Sequence, residues 1–466
     1  MRGETTQHDE RGAANSGEQR QQFLNRRRFM MATGMLAGVS ITGKAGAAIQ
    51  DDEDDDDPDE LEPGDIEYIE EKYPGLLVHS ADPENAEAAA RSTYTSYITP
   101  REEHYIRNHY LSPQIDEDEW EIELRLGDDD VTLTMEEIKH GYSTESVAHT
   151  MQCSGNGRSY FDPTPAGNPW EFGACGNTIW TGSPLSEILE EYGADTSDGM
   201  WLMVAGDDHP DGEDVFARSI PMQKVMEDCL LAYEMNGAPM TAEHGHPVRI
   251  LVPGWMGNNN VKWVAEMEVM DMMMYGEEWE QYTNWQQDAY RILAEGQEPD
   301  HNEQIDIFDT REAMDAEAAG EIDWSPYIYD QNVKSIIGYP GEDATVSPRE
   351  QDGNIEVIGV AWAGDDHVEQ IEVSPDGGEN WEEAEFFGPD LGSSGWRQFR
   401  YVWDAEPGDH FLVSRATDEH GRTQPREIAD PEAELLTVED DMFPYEAGGY
   451  LCNAYEPHGV EVTVEE

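Results

Sequence analysis

The chain has 466 residues with 102 acidic and 27 basic side chains, a formal net charge of -75, and no basic stripe that could neutralise phosphates, which excludes a nucleic-acid partner. Wholesale disorder is also excluded, because 13 Trp, 20 Tyr and 11 Phe supply ample apolar area to bury. The composition reads as that of a folded, salt-adapted protein. It has only six lysines (Lys44, Lys72, Lys139, Lys224, Lys262 and Lys334), and at about 1 M ionic strength the Debye length is about 3 Å, so exposed carboxylates scarcely repel one another.

At the N-terminus, NRRRFMM (25–31) precedes ATGMLAGVSITG and KAGAAIQ, the basic, apolar and small-residue plan of an export signal. The pair Arg26-Arg27 with Phe29 two positions on resembles a twin-arginine signal. Residues 1–48 are therefore expected to be a signal peptide, of the kind that exports folded, cofactor-loaded protein. Its apolar run is too short and too rich in Gly and Ala to span a membrane. Residues 49–65 carry DDEDDDDPDELEPGD, expected to be a structureless acidic linker.

From Ile66 to about residue 335 the patterning is mixed α+β. EWEIELRL alternates as a strand, SPLSEILEEYG reads as a short helix starting with Ser183-Pro184, and VRILVPGW is a buried apolar run. Beyond Ile336 the character changes. IEVIGVAWAG, VEQIEVSPDGGENW, WRQFRYVWDA and HFLVSRATDEHG are alternating runs separated by turns, with Asp376-Gly377-Gly378 a hairpin signal. The expected fold class is α+β: a mixed α+β domain over 66–335, then a β-sandwich over 336–466.

The loop HTMQCSGNGRSYF (149–161) places Cys153 among small residues with Arg158 five positions on. Cys153 has three readings: a structural thiol, half of a disulfide, or a thiolate serving as nucleophile or metal ligand. Ser154 to Gly157 favour a turn with inward donors, and Arg158 would attract an anion and favour a thiolate, which suits a soft or high-valent metal. Zinc is disfavoured, since no second cysteine nearby completes a four-ligand set. His244 and His246 could form a metal-binding pair, but Gly245 and Pro247 read as loop chemistry. Cys175, Cys229 and Cys452 fit no ligand spacing.

Six segments in order resemble the sulfite oxidase family of molybdopterin-dependent oxidoreductases: TPREEHYIRNHY, MQCSGNGRS, GNTIWTGSPLSEIL, LLAYEMNGAPMTAEHGHPVRILVPGWMGNNNVKWV, VAWAGDDHVEQIEVSPDGGENW and NAYEPHGVEVTV. The resemblance implies a molybdenum-molybdopterin cofactor with Cys153 as its one protein ligand. It implies that Tyr105, Arg107, Asn108, His109, Asp208 (or adjacent Asp207), His244, Arg249, Asn260, Val261 and Lys262 hold the pterin and its phosphate. Arg158, Arg107, Trp180 and Tyr290 would serve the substrate.

The implied activity is oxygen-atom transfer, the oxidation of sulfite to sulfate. Electrons would pass to an external acceptor such as a cytochrome or copper protein, because no CxxCH haem-attachment motif occurs. An immunoglobulin-like C-terminal domain would mediate a homodimer. Two other functions stay open: a same-fold reductase of nitrate or of an S- or N-oxide, and a secreted binding protein with a relict cofactor site.

The sequence departs from the family at three points. Gly157 stands where a second basic residue is often found, Ala289 replaces an aspartate before the tyrosine, and Asp365-Asp366-His367 occupies the turn where an anion-binding arginine is expected.

Overall fold

The computed structural model describes residues 61–466, apart from 62, 128–129, 211, 275–278, 280, 283–285, 287–289, 293–306, 323–324, 349–352, 434–437, 439–441 and 466. The expected signal peptide, residues 49–60 of the acidic segment, and Ala289 lie outside the described residues. No helix among the described residues is long and apolar enough to cross a membrane.

Two five-stranded sheets organise the first part. One runs 130–134, 121–125, 264–270, 201–206, 217–221 in spatial order. Its strand Glu121–Arg125 buries Ile122 and Leu124 and exposes Glu121 and Glu123, the alternation expected of a half-buried strand. The second sheet pairs Glu145–Gln152 with Cys175–Pro184, which pairs in turn with Leu230–Met235. Short helices pack on a core of Ile122, Leu185, Ile188, Leu202, Val225 and Ile250. Thr134 and Glu137 form a capping box on helix Met135–Gly141.

One boundary departs from the sequence reading. Ser183 and Pro184 end the strand Cys175–Pro184, and the helix begins at Leu185 without a side-chain cap. Ser183 belongs to the strand, and its hydroxyl donates to the Ile138 carbonyl.

Beyond Val333 the chain forms a sandwich. A four-stranded sheet (334–339, 355–362, 397–403, 385–387) and a five-stranded one (344–346, 460–464, 408–418, 368–374, 382–383) enclose Ile337, Val357, Val373, Phe399, Leu412 and Val460. Gly377 and Gly378, with φ of 73° and 96°, turn the chain between strands Val368–Ser374 and Glu382–Glu383, a conformation that glycine adopts without strain. Before its last strand the chain returns to the first part. Phe443, Tyr445, Leu451, Cys452 and Ala454 pack with Phe161, Met256, Tyr290 and Ile328.

Candidate active site

The loop after strand Glu145–Gln152 is held by its backbone. Cys153 N–H donates to the Ala174 carbonyl at 2.9 Å, the Asn156 N–H returns to the Cys153 carbonyl at 2.9 Å, and Arg158 N–H reaches Gly155 at 3.0 Å. The Ser154 hydroxyl donates to Asn258 Oδ1 at 2.5 Å. These bonds set the half-buried Cys153 side chain at a cleft. The four cysteines are free thiols, and Cys175, Cys229 and Cys452 are buried.

Tyr105, Arg107, His109, Asp208, His244, Arg249, Asn260, Lys262 and Tyr290 line the same cleft. Arg249 and Lys262 oppose each other across a β-bridge. The Arg249 guanidinium donates to the His244 carbonyl at 3.0 Å and the Asn260 carbonyl at 2.8 Å. Lys262 Nζ donates to the Glu243 carbonyl at 2.8 Å and to Asn108 Oδ1. Two cations are thus fixed by carbonyl dipoles rather than neutralised by carboxylates, which leaves their charge for an anionic ligand.

Burial shapes the protonation states. It pushes the Lys262 ammonium down, with Arg249 adding to the effect, and lifts the Asp208 carboxyl against the pull of Lys262. His109, beside Arg107 and Arg218, is held down to about 4 by burial and those charges, and burial holds His104 and His244 low as well. At neutral pH these imidazoles are uncharged, so the cleft's positive charge comes from the guanidiniums of Arg107 and Arg249, joined by the share of Lys262 that stays protonated with its ammonium held down to about 7.

Four residues expected at the site do not line the cleft. Asn108 is buried beside it, donating to Glu84 Oε2 at 3.0 Å and Ser112 Oγ at 2.7 Å. Val261 faces the main core. Trp180 is fully buried behind Arg249, its ring 4.9 Å from that guanidinium. Arg158 is turned toward the C-terminal segment, with Nε donating to the Gly448 carbonyl at 2.7 Å and Nη1 to the Asn168 carbonyl at 2.8 Å. The likeness in local sequence does not encode which way these side chains turn. His246 does not line the cleft beside His244.

Sequence reasoning missed His104, Phe216, Gly257 and Asn258, which also line the cleft, and Arg218 and Tyr450 beside it. An arginine inside the apolar run FARSIP, in a chain of 27 cations, was the available signal for Arg218.

The residues fit a phosphate-bearing pterin with a thiolate-bound metal. His104 Nε2, His244 Nε2 and Arg249 Nε are buried with no protein partner, so the cleft wall presents unmet hydrogen-bonding groups close to a lone thiol. Among the described residues no three His, Cys, Asp or Glu side chains gather as a metal site.

Comparison with known proteins agrees with this geometry. Residues 109–278 match the oxidoreductase molybdopterin binding domain, and residues 325–432 match the Mo-co oxidoreductase dimerisation domain. The mitochondrial sulfite oxidase of Drosophila melanogaster is 30% identical over 83% of this chain, which spans 62% of that protein's length. The sulfite oxidase of Gallus gallus is 30% identical over 77% of this chain and 74% of its own. The crystal structure of the sulfane dehydrogenase SoxCD from Paracoccus pantotrophus superposes with a TM-score of 0.61 at 23% identity, covering 94% of this chain and 98% of that one.

Proposed function

Because the chain belongs to the sulfite oxidase family of molybdopterin-dependent oxidoreductases, we propose that it oxidises sulfite to sulfate. One observation carries the reading: the Cys153 side chain meets a cleft walled by Arg107, Arg249 and Lys262. When bound, the molybdenum–pterin group supplies the oxygen atom and takes up the electron pair. Overall, sulfite and water become sulfate, two protons and two electrons.

The chain's own part is binding and orientation. Cys153 is the protein ligand to the metal, Arg249 and Lys262 hold the pterin phosphate, and Arg107 draws the anion in with Tyr290 beside it. The cationic groups offset the repulsion an anion meets from a chain of net charge -75. Molar salt removes most of the remainder from the exposed surface, while the buried guanidinium of Arg249 is screened less.

The protein is salt-adapted. It is exported by the twin-arginine route, for which Arg26-Arg27 and Phe29 are the support. It passes its electrons to a separate cytochrome or copper protein. It pairs as a homodimer through its C-terminal, immunoglobulin-like sandwich, supported by the match over residues 325–432.

Steady-state assay of the metal-loaded protein in molar salt, with sulfite and an artificial one-electron acceptor, tests the reaction. Saturable sulfite consumption matched by sulfate formation is expected. Turnover only with nitrate, or with an S- or N-oxide and a reduced dye, would replace this reading with the reductase.

A further inference from the structure

We infer that Tyr450 and Arg218 are positioning residues for Tyr290, so that the C-terminal segment completes the reacting end of the cleft. The Tyr450 ring stacks on Tyr290 with centroids 5.1 Å apart and planes at 24°. The Arg218 guanidinium lies 4.9 Å from the Tyr290 ring and 4.2 Å from that of Phe216, and Arg158 lies 5.3 Å from the Tyr450 ring. Arg218, Tyr290, Tyr450 and Arg158 therefore form a continuous run of cation–aromatic and aromatic contacts, a geometry that restrains each ring's tilt. Arg218 is fully buried and Tyr290 is 8% exposed, so neither side chain has room to swing without disturbing the other.

The segment bearing Tyr450 is itself fixed. The buried Glu446 carboxyl group accepts from the Gly448 N–H at 2.9 Å and the Tyr450 N–H at 2.6 Å. Leu451 N–H donates to the Ser154 carbonyl at 2.8 Å, and Arg158 Nε to the Gly448 carbonyl at 2.7 Å. Two bonds thus seat this segment on the Cys153 loop, and the seat fixes where Tyr450 meets Tyr290. Arg158 acts on the site through this seat.

This inference rests on the proposed function only in placing Tyr290 at the reacting end. Its test combines kinetics with a measurement that needs no substrate. In metal-loaded protein, Tyr450→Ala and Arg218→Met are each expected to lower kcat/KM for sulfite by about ten- to a hundredfold, with molybdenum content unchanged, and Tyr450→Phe, which keeps the ring, is expected to recover most of the loss.

In a Tyr290→Ala background the same two substitutions should cost less than about twofold, because residues that act through Tyr290 have nothing left to position. Losses that multiply in that background, or a Tyr450→Ala enzyme within about twofold of wild type, would overturn the inference. Hydrogen exchange of the peptide carrying Tyr290–Ile292 decides it independently. Faster exchange there in Tyr450→Ala supports it, and unchanged exchange refutes it. If wild-type enzyme leaves sulfite untouched, the functional reading fails while the exchange result still stands.

Discussion

Gly157 sits directly on Cys452: a Cβ at position 157 would lie 3.1 Å from the Cys452 Cβ and 3.3 Å from its Sγ. Gly157 also has φ of 100°, a left-handed conformation that other residues adopt at a cost. The basic residue often found here in the family has no room in this chain, because the buried C-terminal segment occupies its place. Gly157→Ala is expected to destabilise the protein by about 1–3 kcal/mol, read as a lower denaturant midpoint at fixed salt. An unchanged midpoint would show that Cys452 yields freely.

The turn at Asp365–Asp366 has been turned to a different use. Asp366 pairs with Arg422 and, at 3.1 Å, with His420, while Asp365 pairs with the buried Lys224 at 2.9 Å. Arg422 also reaches Asp309 at 3.0 Å and Asp418 at 2.6 Å. The carboxylates anchor the sandwich to the first part of the chain. Replacing Asp366 by arginine sets two guanidiniums against each other. Asp366→Arg should lower thermal stability without lowering KM for sulfite. A lower KM at unchanged stability would mean that the turn faces the substrate.

Arg249 and Lys262 are expected to hold the pterin phosphate, and a charge-assisted contact of this kind contributes about 1.5–3 kcal/mol. Arg249→Met and Lys262→Met should each retain cofactor about ten- to a hundredfold more weakly. Released pterin, measured by fluorescence after extraction, checks this. Full pterin occupancy in both variants would place the phosphate elsewhere.

His149 is fully buried, and its Nδ1 accepts the Gly254 N–H at 3.2 Å, which requires a neutral ring. Burial, with Arg249 and Lys224 nearby, holds it down to about 3. Between about pH 6.5 and pH 3 the unfolded chain takes up a proton here that the folded chain refuses. Stability therefore falls as pH drops through that window, by about 1.4 kcal/mol per unit from this one group. The stability advantage of wild type over His149→Gln should shrink at that slope below pH 6.5, and a difference independent of pH would contradict the assignment.

The strands were legible because alternation is local: Ile122 and Leu124 point inward wherever Glu121–Arg125 is placed. The Cys153 loop was legible because glycines and a turn carry their own conformational signature. Side-chain direction was not. Arg158 and Trp180 stand close to the cysteine in sequence or pattern, yet one is drawn off by the Gly448 carbonyl and the other lies beneath Arg249. Tyr450 meets Tyr290 across 160 positions, and only tertiary packing brings them together. Gly157 looked like a missing charge, whereas its reason lies in Cys452, nearly three hundred residues away.

The Cys153 sulfur is expected to bond a metal held otherwise by a pterin. Metal and pterin content per chain, measured on wild type and Cys153→Ser from a host that makes the cofactor and joined to molybdenum-edge X-ray absorption of the bound metal, tests that bond. The expected result is about one molybdenum and one pterin per wild-type chain with a third sulfur neighbour that disappears in Cys153→Ser, along with turnover, while the fold persists. A metal-free wild type, or an unaltered metal environment in the serine variant, would contradict it.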